Sequence, residues 1–379
     1  MRLAIIADWL TTFGGAEHTI AEFRSVWPDA PLYTTVARRE RLGPLADAEI
    51  HVTTLQKPYS LIGRHEPLLP LMPRALEGFD LTGYDAILSS SHAVAKGIIP
   101  PQNAAHVCYC HTPMRYAWEM ENQYLNDFRV PKILRRRLKL MLRSLRRWDL
   151  STSRRVDAFI ANSRETQSRI ERIYGREATV VSPPLHDRFL AAPLTPREKR
   201  GGYLAVGRFV PYKRFDLLIE WANATGETLT IAGRGQEDAR LRRMAGPTVK
   251  FLGYVPDADL PALYGSAKAF LFPAYEDAGI VPLEAQSAGT PVIALGKGGA
   301  LDTVRDGETG LFFDVQTVDA IRDAVKRFKS TTFDAQKIRA HAGTFSSARF
   351  RETVKDILQK TREEKSRATN HGVSVISNQ

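Results

Sequence analysis

"AFLFPAYEDAGIVPLEAQSAGTPVIA", residues 269–294, carries the reading of the fold. Ala269–Phe272 is a short apolar run that stops at Pro273, the pattern of a buried strand. Pro282 suits the first turn of a helix over 281–288. Gly289 and Pro291 close that helix, and Val292–Ala294 starts a second strand. Strand, helix and strand in succession make a βαβ unit, whose strands run parallel.

The unit repeats in both directions. Strands are expected at Leu3–Ala7, Ala86–Ser89, His106–Tyr109 and Ala158–Ala161. Further strands are expected at Tyr203–Val206, Leu229–Ile231, Lys250–Leu252 and Leu311–Phe313, with helical stretches near 213–224, 236–245, 257–265, 300–306 and 317–328. Asn162, with Glu165 three residues on, reads as a capping-box start to a helix. The proline-rich stretch 181–202 reads as a joint between two doubly wound domains, 1–185 and 196–345. Segment 346–362 is expected to cross back onto the first domain, and the polar tail 363–379 to lack regular structure. A cleft between the domains, beyond the strand C-termini, is the expected ligand site.

Composition excludes several classes. The chain has 379 residues, 43% hydrophobic and 25% charged, ordinary for a globular protein of two domains. No apolar run approaches the roughly 18 residues that read as a membrane-spanning helix. The start, MRLAIIADWL, reads as a first strand and not as a signal peptide. Cys108 and Cys110 are too few for a zinc site and read as buried thiols in a reducing, cytoplasmic compartment. No G-x-G-x-x-G follows the first strand, and AGRGQED at 232–238 lacks a third glycine. A net charge of +11 draws anions without choosing among nucleic acid, membrane and phosphorylated ligands.

Four residues carry the chemistry of the second domain. Glu276 falls in the loop after strand 269–272, and Gly279 frees the backbone at the helix start, where N–H groups attract anions. Glu284 lies in the first two turns of that helix. Both glutamates read either as acceptors for sugar hydroxyls or as acids placed to suit the helix dipole. In GRFVPYKRF, Arg208 and Lys213 flank the exit of another strand. They read either as a clamp on a diphosphate or as a solvated basic loop. In the first domain, Gly14 and Gly15 let backbone approach a ligand or merely open a helix. His111 closes the strand HVCYC and reads as a structural or a binding histidine.

GRFVPYKRFDLLIE and EDAGIVPLEAQSAGTPVIA resemble the family-4 retaining glycosyltransferases of GT-B fold. YCHTPMRYAW and IADWLTTFGGAE are similar to the branch of bacterial mannosyltransferases that builds surface polysaccharides. The resemblance implies two Rossmann-like domains, the first on the acceptor side and the second holding the nucleotide sugar. It implies that Arg208 and Lys213 bind the donor diphosphate, Glu284 the ribose and Glu276 the transferred sugar, with backbone near Gly279 meeting the distal phosphate or the sugar. His111 would stand beside the donor sugar, as a binding or transition-state-stabilising residue. It further implies GDP-mannose as donor, a lipid-linked or polysaccharide acceptor and no other cofactor. No metal ligands are expected, on a reading that finds no Asp-x-Asp triplet in the chain. Ala278 departs from the family's pattern, which has Phe before that glycine.

One segment remains. Residues 131–155 hold ten Lys or Arg and one acid, Asp149, with Leu134, Leu138, Met141, Leu145 and Trp148 at helical spacing. Such a helix packs its leucines inward, and its basic face is either solvated or laid on anionic lipid at the inner face of the cytoplasmic membrane. No nucleic-acid reader motif accompanies the charge. Two rival functions stay open: a nucleotide-sugar epimerase or hydrolase of the same fold, and a non-catalytic basic protein binding nucleic acid or membrane.

Overall fold

Strand β1 (Leu3–Ala7) is buried along its whole length. A strand with no solvent face needs cover on both sides, which helical crossovers of a parallel sheet provide. The computed structural model describes residues 1–119 and 132–376. These divide into two units, Met1–Val181 with the chain from Arg351 on, and Ser182–Phe350.

The first unit adds β2 (Leu32–Thr34), β3 (Ile50–Val52), β4 (Ala86–Ser91), β5 (Ala105–Cys110), β6 (Ala158–Ala161) and β7 (Ala178–Val180). All pair in parallel, in the order β3-β2-β1-β4-β5-β6-β7. Its helices are α1 (Gly15–Val26), α2 (Gln56–Ile62), α3 (Met72–Glu77), α4 (Arg115–Trp118), α5 (Lys132–Thr152) and α6 (Arg164–Tyr174). Strands β2, β3 and β7 escape a pattern reading because each has three residues, too few to show a period. Helix α6 is capped by Ser163, whose hydroxyl accepts from Thr166 N–H, and not by Asn162 as the sequence suggested.

The second unit holds β8 (Tyr203–Val206), β9 (Leu229–Ala232), β10 (Val249–Gly253), β11 (Ala269–Phe272), β12 (Val292–Leu295) and β13 (Gly310–Phe313). They are parallel throughout, in the order β10-β9-β8-β11-β12-β13. Helices α7 (Asp187–Ala191), α8 (Phe215–Thr225), α9 (Asp238–Met244), α10 (Leu260–Ser266), α11 (Ile280–Ser287), α12 (Ala300–Thr303), α13 (Val318–Lys329) and α14 (Ala335–Gly343) complete it. Alternate residues of each strand face opposite sides. Tyr203, Ala205, Leu271 and Ile293 join one apolar cluster, and Leu204, Phe270, Phe272 and Val292 join the other. The stretch 181–202 is no free linker. From Ser182 it belongs to this unit, and Leu185 and Phe189 are buried in its core. Arg200, at the end of its charged run, is buried and donates to the carbonyls of Thr195, Ala288 and Gly289. It thereby holds the turn that ends α11.

Helix α15 (Ser347–Ile376) closes the described chain. From Arg351 it belongs to the first unit, where Arg351 pairs with Glu22 at 3.1 Å and Lys365 with Asp157 at 2.7 Å. The stretch from 363, read from its polarity as lacking regular structure, is thus helical as far as Ile376, and Lys365 shows why. Its charge has a partner on the body of the unit. Residues 377–379 of that tail lie outside the described residues.

Helix α5 realises the basic segment. Position 131 and the side chain of Leu134 lie outside the described residues. Leu142 and Leu145 are buried, and Met141 and Trp148 pack beside them on the core. Arg136, Arg137, Lys139, Arg143 and Arg147 are exposed. The single acid faces the other way. Asp149 is fully buried, 2.9 Å from the buried Lys96 ammonium, and its other oxygen accepts from Trp118 Nε1 at 2.7 Å and Tyr174 OH at 2.9 Å. Lys96 also donates to the Asp149 carbonyl and to Thr152. Gly97 follows because any Cβ there would overlap the Trp148 ring. Cys108 and Cys110 are buried, unpaired thiols, and burial pushes Cys108 up to about 12.

Lys96→Ala leaves the Asp149 carboxylate buried without its countercharge. It should cost the first unit about 3–5 kcal/mol. Urea denaturation followed by tryptophan fluorescence measures this. A midpoint unchanged from wild type would show the pair to be dispensable.

Candidate functional site

In the second sheet the strand order reverses between β8 and β11, and ligands of open parallel sheets settle outside such a reversal. Two loops meet there. After β8 comes Gly207–Arg208, then a short turn Pro211–Lys213 ahead of α8. Arg214, next to Lys213, is the one non-glycine residue with left-handed backbone among the described residues (φ 53). Such conformations persist where the surroundings enforce them, and they collect at functional sites. Here the bend turns Lys213 inward. Its ammonium is buried, 5.8 Å from the centre of the Phe272 ring, and pairs with the Glu276 carboxylate. Arg208 is exposed and makes no side-chain bond among the described residues.

The loop after β11 brings Glu276 and Gly279. Gly279 caps α11 with φ +64, and a Cβ on it would press on the Gly299 carbonyl at 2.6 Å. No other residue fits. Gly299 N–H in turn donates to the Glu276 carbonyl at 2.8 Å, and the Tyr275 ring lies against Gly298. The Gly298–Gly299 turn after β12 therefore sets the position of Glu276, a role the sequence reading missed although the KGG triplet was there to be seen. Similar crowding explains AGRG. A Cβ at Gly233 would fall 1.9 Å from the Gly207 carbonyl, and one at Gly235 would strike Phe209. These glycines let two loops touch.

Glu284 stands two turns into α11. Tyr264 OH donates to its Oε2 at 2.7 Å. Burial pushes its pKa up to about 7, against the pull of Tyr264 and of the Arg188 charge. It is a carboxylate with few partners, able to accept from hydroxyls. Arg208, Lys213, Gly279, Glu276 and Glu284 thus lie in one unit.

Gly14, Gly15 and His111 lie in the first. Gly14 caps α1, and its N–H donates to the Glu17 carboxylate at 3.0 Å. His111 follows β5, its Nε2 sharing a hydrogen bond of 2.8 Å with Ser90 Oγ. Burial, helped by the charge on His92, drives its pKa down to about 3, so the ring is neutral at ordinary pH. Asp8 and His92 were not singled out from the sequence. Asp8 accepts four backbone N–H bonds from His92–Ala95 and pairs with His92 Nδ1 at 2.9 Å. Burial would raise its pKa, and the charge and hydrogen bonds of His92 more than offset that. A charged residue at the end of an otherwise apolar strand was the available signal.

Two family models divide the chain between them. "Glycosyltransferase Family 4" matches residues 13–188, and "Glycosyl transferases group 1" matches residues 188–344. The chain belongs to the family-4 glycosyltransferases. Over 189 residues it is 34% identical to the GDP-mannose-dependent alpha-(1-6)-phosphatidylinositol monomannoside mannosyltransferase of Mycobacterium tuberculosis, covering 42% of this chain and 49% of the relative. Over 74 residues it is 45% identical to the O-antigen chain mannosyltransferase B of Escherichia coli, 19% of each. The chain spans about half the length or less of these two relatives. Among solved structures, Anabaena HepE in complex with UDP superposes with a TM-score of 0.70 at 18% identity, over 95% of this chain and all of that one. The fold is GT-B, two Rossmann-like α/β units.

One Asp-x-Asp triplet is present, Asp257-Ala258-Asp259, and it corrects the expectation of no metal ligands, which overlooked it. Asp257 pairs with Arg188 at 2.9 Å. No group of three or more His, Cys, Asp or Glu is placed to hold a metal among the described residues. No helix among them is long and apolar enough to cross a membrane.

Glu284 gives a pH-dependent prediction. Its folded pKa, about 7, lies above the ordinary 4.5 of a glutamate. The folded state therefore holds its proton more tightly, and stability falls as pH rises from 4.5 through 7. Glu284→Gln should raise the melting temperature at pH 8 and leave it unchanged at pH 4.5. Thermal melts at the two pH values check this, and an equal effect at both would refute the origin in burial.

Proposed function

We propose that the chain is a retaining hexosyltransferase that moves mannose from GDP-mannose to a lipid-linked or polysaccharide acceptor. The observation that carries this reading is the meeting of Lys213, Glu276, Gly279 and Glu284 at one sheet reversal. A nucleoside diphosphate sugar has a part for each. The N–H groups at the start of α11 and the Lys213 ammonium face the diphosphate, with Arg208 swinging in from solvent. Glu284 accepts from the ribose hydroxyls. Glu276, which pairs with Lys213, accepts from hydroxyls of the sugar once the diphosphate has taken the lysine. The mannosyltransferase names of the relatives support mannose and its guanine nucleotide.

Chemically, the sugar's C1 gives up its bond to the phosphate oxygen. The acceptor oxygen bonds to C1 from the same face, and the acceptor's proton passes to the departing phosphate. Cations held on that phosphate stabilise the charge that develops as it leaves. In this step no protein nucleophile enters, and Glu276 and Glu284 act as hydrogen-bond acceptors. His111, as a neutral imidazole, is a hydrogen-bond partner for a hydroxyl and not a carrier of charge. The exposed basic face of α5 suits an acceptor held at an anionic membrane, where each Lys or Arg near the surface contributes about 1 kcal/mol.

Isothermal titration with GDP, UDP and ADP tests the site, with EDTA present. GDP should bind, and Lys213→Ala should weaken it by about tenfold or more. Glu276→Gln should bind GDP at least as tightly as wild type, since it frees the lysine, while losing turnover of GDP-mannose. Tight binding of UDP alone would overturn the mannose assignment. Binding of none by the folded protein would overturn the transferase reading.

A further inference from the structure

Tyr264, in α10, donates its hydroxyl to Glu284 Oε2 at 2.7 Å. The other carboxylate oxygen, Oε1, accepts nothing among the described residues, and Glu284 is half-buried. One oxygen is thus fixed from within the unit, and one is left for a ligand.

Tyr264 is held at both ring and backbone. Its ring stands edge-on to Phe270 of β11, with centres 5.6 Å apart, and tilted against Phe189 of α7 at 6.2 Å. Its carbonyl accepts from Thr290 Oγ1 at 2.8 Å, and Arg200 donates to that same Thr290 oxygen at 2.9 Å. The next residue, Gly265, has no room for a Cβ, which would fall 2.7 Å from Thr195 Oγ1. A ring clamped in this way keeps its hydroxyl at one point. Tyr264 is fully buried, and burial lifts its pKa well above the ordinary 10, so the hydroxyl stays a donor at working pH.

The fold needs neither polar group. Phe at position 264 would fill the same apolar cluster, which holds Phe189, Phe270 and Leu283, and would leave no hydroxyl to satisfy. At position 284 burial opposes the charge, and Gln is expected to be the more stable residue at pH 8. Two groups that each cost stability are paired near the start of α11, which points to a ligand. Four groups act on the Glu284 charge. Tyr264 on α10, Arg188 on α7 and Lys213 ahead of α8 favour it, and Asp257 ahead of α10 opposes it. Among the described residues only Tyr264 hydrogen-bonds the carboxylate.

We propose that Tyr264 is a positioning residue of the nucleotide site: its clamped hydroxyl fixes Glu284 Oε2 and leaves Oε1 for the ribose hydroxyls, so that Tyr264 sets how strongly the site prefers a ribonucleotide to one without them. That the ligand is a ribonucleotide rests on the transferase reading above. The hold of Tyr264 on Glu284 does not.

The same bond sets a pH response. A hydrogen bond donated to a carboxylate favours its charged form, so losing the bond moves the ionisation of Glu284 to higher pH. Folded Glu284 keeps its proton up to about 7, above the ordinary 4.5, and stability falls as pH rises between the two. Without the Tyr264 bond that window extends upward.

Tyr264→Phe removes the hydroxyl and keeps the ring, and two measurements on the full chain read the result. Isothermal titration at pH 7.5 compares GDP with its 2′,3′-dideoxy form, or UDP with its own where UDP is the nucleotide that binds. Wild type should prefer the ribonucleotide by about tenfold or more. Tyr264→Phe should lose most of that preference and bind the dideoxy form as wild type does. Equal weakening of both, the mark of a ring that only packs, overturns the proposal. So does a preference that survives intact. The second measurement uses no ligand. Melting temperatures at pH 4.5 and pH 9 should lie further apart in Tyr264→Phe than in wild type, and adding Glu284→Gln to both proteins should remove that difference. An equal gap in the two proteins overturns the hold of Tyr264 on Glu284. Binding of no nucleotide by the folded protein overturns the ribose assignment together with the transferase reading, and a wider gap in the melts still gives Tyr264 control of Glu284.

Discussion

The reversal between β8 and β11 governs the second unit. The chain leaves β8 for α8, whose Leu217, Leu218 and Trp221 pack on one face of the sheet. It leaves β11 for α11, whose Leu283 and Ala285 pack on the other. Two neighbouring strands whose continuations part in this way leave the backbone at their ends uncovered. Polar groups placed there need a partner, and Lys213 and Glu276 find each other. The ion pair is a consequence of topology before it is a feature of function. The close approaches of Gly279 to Gly299 and of Gly233 to Gly207 follow from the same crowding, since four loops share the ground above the strand ends.

That topology made much of the second unit legible. Its strands alternate with helices in a steady rhythm, and each is bounded by glycine or proline. Arg208, Lys213, Glu276 and Glu284 belong to recurrent patterns at fixed spacing, so they stood out even where a single charged residue would not. The first unit was harder to read. Strands of three residues carry no period, and β3 is partly exposed. Ser163 took the cap from Asn162 because its hydroxyl reaches Thr166, a distinction of geometry that composition does not encode. The polar end of α15 suggested disorder by composition, yet partners such as Asp157 for Lys365 lie far away in sequence.

Asp8 and His92 show where pattern fails most clearly. They are 84 positions apart, and although Asp8 falls within IADWLTTFGGAE, nothing in that stretch singles it out or points to His92. Only the pairing of β1 with β4 brings them together. The same holds for Lys96 and Asp149, an acid that looked like a lone interruption of a basic helix and is in fact the buried anchor of that helix.

The Lys96 pair also ties the two features of the first unit to one another. The turn whose N–H groups hold Asp8 runs from His92 to Ala95, and Lys96 is its next residue. Its ammonium reaches into α5, fixing Asp149, which in turn holds Trp118 and Tyr174. The basic helix and the Asp8–His92 pair are therefore parts of one packed body. A surface that draws α5 toward anionic lipid would bring the Asp8–His92 pair with it as a rigid attachment. The exposed arginines of α5 stand on one face of that body, and the buried Lys96–Asp149 pair fixes the helix to it from the other.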